Sequence, residues 1–241
     1  MNKVAGPLVA RAVREISLDE WPRWAADLLE VKTPSNVPTK IEESPEGGSN
    51  INIILHFLDE TRGLDGDVAE CGVFKGASLA AMALHIRHRG DPRHVHGFDS
   101  FQGFDESAAK DVEWGGAPNS ERRVGGFAGT SLRIVRNKLG RLGVSGRTTL
   151  HPGYFAQTLV MAPERQYSFV HLDCDIHDSY QQTLQYFYPR LVEGGVILID
   201  EYDDPPWPGC NLAVDFFLAD KPEALQRICS DKYVKYYIQK S

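Results

Sequence analysis

Residues 67–78, Asp-Val-Ala-Glu-Cys-Gly-Val-Phe-Lys-Gly-Ala-Ser, decide the fold. Asp67–Val73 is a short apolar run that contains a glycine near its end, which reads as a strand. Ala77–Arg89 follows with helical spacing, preceded by Gly76. Between them lies a glycine turn. Gly72 and Gly76 let a ligand approach the backbone closely, and the start of the helix offers free N–H groups. The full G-x-G-x-x-G pattern is absent, because Phe74 stands where a middle glycine would be.

The same alternation continues outward from this unit. Helical spacing is read at Ile51–Arg62, Gly129–Leu142, Tyr154–Val160, Ser179–Leu191 and Leu212–Ala219. Strands are read at His94–Asp99, Thr148–His151, Tyr167–Leu172 and Val196–Asp200, with one or two more around Tyr233–Ile238. The glycine-rich stretch Ser100–Phe127 reads as a long loop. Strands alternating with helices predict an α/β fold with a mostly parallel sheet covered on both faces. Residues 50–241 form that domain. Residues 1–49 are expected to be an N-terminal arm or lid, with a short helix at Leu18–Leu29 and a Pro/Ser/Thr/Gly-rich run at Lys32–Asn50.

Composition narrows the function. The chain of 241 residues is 42% hydrophobic, enough for a packed core. Its 26 Lys and Arg against 33 Asp and Glu give a net charge of -7. That balance argues against nucleic acid and against an anionic membrane as the main partner. Apolar stretches are short and the first twenty residues make a poor signal peptide, so a cytoplasmic location is expected. The four cysteines form no C-x-x-C pair, and Cys71 and Cys174 read as small buried core residues.

Open α/β sheets bind ligands beyond the carboxyl ends of their strands. Glycines or acids stand at every such end here. The first is followed by Glu70, Gly72, Val73, Phe74, Gly76 and Ser78, the second by Asp99 and Ser100, and the third by Gly153 and Tyr154. All are expected to line a cofactor, with Asp99 accepting the hydroxyls of a ribose. The fourth and fifth ends carry Asp173, Asp175, Asp200 and Glu201. Carboxylates gathered this closely repel one another, and a hard cation such as Mg²⁺ relieves that. Asp178 reads as the N-cap of its helix, His171 as a packed core histidine, and His177 as a pocket residue or proton carrier.

The stretches GDVAECGVFKGAS, FDSFQGF, HPGYF, LDCDIHDSY, YPRLVEGGVILIDEY and PGCNLAVDFF, in this order, resemble the macrocin O-methyltransferase family across about residues 50–240. The resemblance implies a class I methyltransferase fold with a seven-stranded sheet, S-adenosylmethionine as methyl donor and Mg²⁺ as metal. It implies Asp173, Asp200 and Glu201 as metal ligands and Asp175 as general base. It also implies cofactor contacts at Glu70, Gly72, Asp99 and Ser100, with Asp173 adjoining the cofactor. The acceptor it implies is a small molecule, a glycosylated natural product or other polyol, and the assembly a homo-oligomer such as a dimer. The sequence departs from the family pattern at Cys174 (usually Gly), His177 (usually Tyr) and Glu201 (usually Asp). Two other readings of the same fold are a nicotinamide-dependent oxidoreductase and a non-catalytic scaffold. The broken glycine motif argues against the first and the complete acid set against both.

Overall fold

The computed structural model describes residues 11–12, 50–229 and 233–241. The expected helix at Leu18–Leu29 and nearly all of the expected arm lie outside the described residues. Strand β1 is Arg11–Ala12, a two-residue piece of that arm. Helix α1 (Asn50–Glu60) leads into β2 (Asp67–Cys71), α2 (Ala77–His88), β3 (Val95–Asp99), α3 (Ala108–Glu113) and α4 (Leu132–Arg141). Then come β4 (Thr148–Pro152), α5 (Phe155–Met161), β5 (Tyr167–Leu172), α6 (His177–Phe187), β6 (Leu191–Ile199), α7 (Pro208–Leu218), β7 (Gln226–Cys229) and β8 (Val234–Gln239).

The sheet order is β1-β7-β8-β6-β5-β2-β3-β4. Strands β2 to β8 make the expected seven, and β1 adds an eighth at the edge, parallel to β7. Only β8 runs against its neighbours, pairing antiparallel with β6 and β7. From β2 the chain builds outward to β3 and β4, then returns to place β5 on the other side of β2. The strand order therefore reverses between β2 and β5, and open α/β sheets bind ligands beyond the carboxyl ends at such a point. Gly72 closes that point. A Cβ there would lie 1.6 Å from the Asp173 carbonyl oxygen, and its φ of 91° suits glycine.

Alternation along the strands divides the core. Val68, Val196 and Leu198 face α1, α2 and α4, among Ile54, Phe57, Met82 and Val135. Cys71, Leu172, Ile197 and Ile199 face α5, α6 and α7, among Leu159, Tyr180, Leu184 and Val214. Both faces are dry, as a parallel sheet requires. Cys71 and Cys174 are buried, as read. Among the described residues no helix is long and apolar enough to cross a membrane.

Several expectations shift. The stretch read as a loop at Ser100–Phe127 carries α3, six residues with Asp111 buried on its inner side. Strand β6 starts at Leu191, not Val196. Gly194 and Gly195 lie inside it, where the register shifts against β5. Helix α7 starts on Pro208, whose missing N–H is tolerated in a first turn. Helix α6 starts at His177, and Pro189 turns its end into a 3₁₀ turn at Tyr188–Arg190.

Candidate active site

The glycine turn is built around Asp99. Its Oδ2 accepts the N–H groups of Val73 and Phe74 at 2.8 and 2.7 Å, and its Oδ1 accepts that of Phe101. Phe74 has φ 46° and Gly76 φ 76°. The phenylalanine thus adopts the left-handed backbone that glycine would supply in a full fingerprint, held by Thr130 on its carbonyl and by the edge-on Phe127 ring. An ionised carboxylate has about four lone-pair sites, so three N–H bonds leave about one for a further donor. Burial raises the Asp99 pKa, and the three N–H bonds hold it back. Gly153 (φ 138°) donates to the Asp99 carbonyl, and Tyr154 is the N-cap residue of α5. Ser78 lies half-buried in the first turn of α2. Ser100 is tied into its own turn, donating to the Gly103 carbonyl at 2.8 Å.

Glu70 is fully buried, with Oε1 on His171 Nδ1 at 3.1 Å and Oε2 without a hydrogen-bond partner among the described residues. His171 is packed in the core as read, yet it also stands between two acids, its Nε2 3.7 Å from Asp200 Oδ1. Burial pulls its pKa down, but Asp200 and Glu70 together push it up to about 10, which favours the protonated ring. Lys235 Nζ of β8 lies 2.9 Å from the same Asp200 oxygen. A row of alternating acids and bases, Glu70, His171, Asp200 and Lys235, crosses β2, β5, the end of β6 and β8. Burial opposes ionisation of Asp200, but Lys235 and His171 outweigh it and hold its pKa well below the usual range.

The other three acids form a separate group. One oxygen each from Asp173, Asp175 and Glu201 lie within 4.8 Å of one another. Asp175 has φ 59°, a conformation aspartate tolerates, and its N–H donates to Glu201 Oε2 at 3.2 Å. Tyr180 also donates to that oxygen. Burial, reinforced by Asp200, pushes Asp173 up to about 7, and burial with the neighbouring acids pushes Asp175 and Glu201 up as well. Of the four acids read from the strand ends, the structure thus groups three closely and turns the fourth, Asp200, toward Lys235.

Segment 104–127 packs beside His177, next to this group. Asp111 of α3 accepts the His177 N–H at 3.1 and 3.2 Å, capping α6 from outside its own sequence. This corrects the reading of Asp178 as the cap. The N-cap position is Ile176, and Asp178 lies inside the first turn, bound to Lys110 and to His177 Nδ1. Burial pushes Asp111 up to about 6 against the pull of that N–H. Gly209 makes room for it, since a Cβ there would sit 1.9 Å from Asp111 Oδ1. Trp114, at the end of α3, rests on the His177 ring with centroids 4.8 Å apart. Lys235, Asp111 and Trp114 were not read from the sequence. Only a charged residue in a tail strand, and a tryptophan in a glycine-rich loop, could have hinted at two of them.

The geometry matches a known family. The sequence profile of macrocin O-methyltransferases fits residues 55–234. A 4'-O-methyltransferase of Streptomyces olivaceus, acting on 8-demethyl-8-(2,3-dimethoxy-alpha-L-rhamnosyl)-tetracenomycin C, is 34% identical over 145 residues, 58% of this chain and 54% of that protein. The chain thus matches about half the length of that relative. The mycinamicin III 3''-O-methyltransferase of Micromonospora griseorubida is 30% identical over 70% of this chain and 67% of its own. The solved structure of the O-methyltransferase NovP superposes with a TM-score of 0.70 at 26% identity, over 86% of this chain and 84% of that one. The chain belongs to the macrocin O-methyltransferase family, and by class it is an S-adenosylmethionine-dependent O-methyltransferase.

Proposed function

We propose that the chain methylates a hydroxyl on the sugar of a glycosylated natural product, with Mg²⁺ bound at the carboxyl ends of β5 and β6. The observation that carries the metal is the set Asp173, Asp175 and Glu201: three oxygen donors close together, Glu201 buried and the two aspartates half-buried, with Lys235 turned to Asp200 instead. Such a set suits a hard divalent cation. One relative is named for O-methylation of a rhamnosyl tetracenomycin and another for that of mycinamicin III, which supports a glycosylated natural product as acceptor. Membership of a methyltransferase family leaves the oxidoreductase and scaffold readings without support. The proposal includes, from the resemblance, a homodimer and, from composition, a cytoplasmic location.

Asp173, Asp200 and Glu201 would hold the cation, which when bound would make an acceptor hydroxyl more acidic. Asp175 takes the hydroxyl proton on its carboxylate. The oxygen then attacks the methyl carbon in line, the O–C bond forms as the C–S bond breaks, and S-adenosylhomocysteine leaves. Asp99 and the turn Gly72–Gly76 place the donor's ribose and chain, with Val73, Phe74, Ser78, Ser100, Gly153 and Tyr154 around it. Glu70 Oε2, buried and without a hydrogen-bond partner among the described residues, would be satisfied by a donor group of the same ligand. His177 borders the acceptor. Much of the rate comes from holding the two reactants in line.

The close approach of Asp175 to Asp173 and Glu201 favours a second arrangement, in which Asp175 replaces Asp200 as third ligand. The first measurement is calorimetric titration of S-adenosylhomocysteine, with and without Mg²⁺, and of Mg²⁺ alone. Micromolar binding of the nucleoside is expected, together with Mg²⁺ binding that Glu201→Gln abolishes. No nucleoside binding in either condition overturns the donor site, and unchanged Mg²⁺ binding in Glu201→Gln overturns the metal site.

A further inference from the structure

Beyond Glu201 the chain turns through Asp203 and Asp204 into α7, and an open depression of about 580 Å³ forms there. Trp114, Asp203, Asp204, Pro208, Asn211 and Leu212 are among the residues that line it. Asp204 ties the rim to the acid cluster: its N–H bonds to the Glu201 carbonyl at 3.0 Å, and its carboxylate is one of the acids that push the Asp175 pKa up. Two of its polar side chains are already committed. Asn211 and Asp203 bond to each other, and Tyr236 donates to Asp203. The half-buried Asp204 carboxylate accepts no hydrogen bond from a described residue.

Trp114 stands over this depression with 39% of its surface exposed, on a rigid mount. Asp111, one turn earlier, is fixed on α6. Just after it, Arg122 donates to the Gly115 and Pro206 carbonyls, and the Ala117 N–H bonds to the Pro205 carbonyl at 2.8 Å. Gly116 lets the two segments cross, since a Cβ there would meet the Pro205 carbonyl oxygen at 2.5 Å. These contacts fix the backbone after Trp114, and its ring, resting against His177, stays partly exposed. Its face is electron-rich and suits the slightly positive C–H face of a pyranose, whose hydroxyls need acceptors at the rim.

We propose that Trp114 is the platform on which the acceptor's sugar ring lies, with Asp204 accepting one of its hydroxyls, so that Trp114 sets selectivity for a ring over an open-chain polyol. The assignment rests on the sugar methyltransferase reading above. It needs a ring with one apolar face, and the depression beyond Leu212 receives what the sugar is attached to.

The test is saturation-transfer NMR with methyl α-L-rhamnopyranoside, and with glycerol for comparison, on the full chain in the presence of S-adenosylhomocysteine. Wild type, Trp114→Ala and Trp114→Phe are compared, and S-adenosylhomocysteine affinity is measured in each by calorimetry. Transfer to the sugar's ring protons is expected in the wild type. Trp114→Ala should weaken sugar affinity about tenfold or more, and Trp114→Phe should largely keep it. Equal sugar affinity in wild type and Trp114→Ala overturns the platform. So does transfer to glycerol as strong as to the sugar. Absent sugar transfer in a wild type that binds S-adenosylhomocysteine overturns the platform alone, leaving the methyltransferase reading intact. Failure to bind S-adenosylhomocysteine overturns both.

Discussion

Two charge clusters sit near opposite ends of the same sheet, one buried and one half-buried, and they are finished to different degrees. Near the amino ends of the strands, Asp91 and Arg93 form a closed pair. Arg93 Nη2 lies 2.7 Å from Asp91 Oδ2, and the same guanidinium donates to the Leu58 carbonyl and to Thr61 and Ser168. Burial alone would raise the Asp91 pKa, but Arg93 brings it down. At the carboxyl ends, Asp173, Asp175 and Glu201 lie together, and burial raises all three. A buried charge with every partner in place is a structural element. A close cluster of one sign takes up protons or is completed by a ligand, which is why such clusters gather at functional sites.

Breaking the open cluster has its largest effect on chemistry. Asp175→Asn should lower turnover by roughly 10²–10⁴-fold if the carboxylate is the base, with S-adenosylhomocysteine affinity unchanged. Calorimetry of Mg²⁺ on the same variant separates the two arrangements. Retained Mg²⁺ affinity keeps Asp200 as third ligand, whereas lost affinity makes Asp175 a ligand.

Breaking the closed cluster should show in stability instead. Arg93→Met leaves Asp91 buried and unpaired, and should cost about 3–5 kcal/mol in urea denaturation. Asp173→Asn, measured without divalent metal, should be neutral or stabilising, because it removes one of several repelling acids. Equal destabilisation by both variants would erase the distinction between the clusters.

A smaller effect sharpens the comparison through pH. His96 is buried against Asp67, 3.1 Å from Oδ2, with His151 at 3.1 Å on its other nitrogen. Burial pulls its pKa from 6.5 down to about 4, although Asp67 pushes the other way. The folded state thus favours neutral histidine. That contribution is whole above pH 6.5 and is lost as pH falls from 6.5 toward 4. Burial lowers His94 and His151 in the same sense. At about 1.4 kcal/mol per pKa unit, the loss should be about 1–3 kcal/mol, and His96→Gln should flatten the stability profile across that window. A profile equally steep in the variant would place the pH dependence elsewhere.

Much of this molecule is written locally. The run Asp67–Cys71 followed by Gly72 and Gly76, the acid at Asp99 and the acids at Asp173, Asp175, Asp200 and Glu201 all lie at strand ends in the structure, where the alternation of strand and helix predicts them. Strand and helix periods are properties of neighbouring residues, so a sequence displays them directly. Phe74 is the informative exception. It looks like a defect in the glycine motif, but its left-handed backbone supplies the same turn because Thr130 and Phe127 hold it there.

The sequence by itself determined the alternating α/β order and the collection of ligand-type residues beyond the strand ends. Tertiary structure alone decided how those residues divide. Lys235 reaches Asp200 across 35 residues, Asp111 caps α6 across 66, and Arg165 reaches Asp67 across 98. Such pairings depend on strand order and register. These follow from packing the whole sheet between its two helical layers, and no local pattern records them.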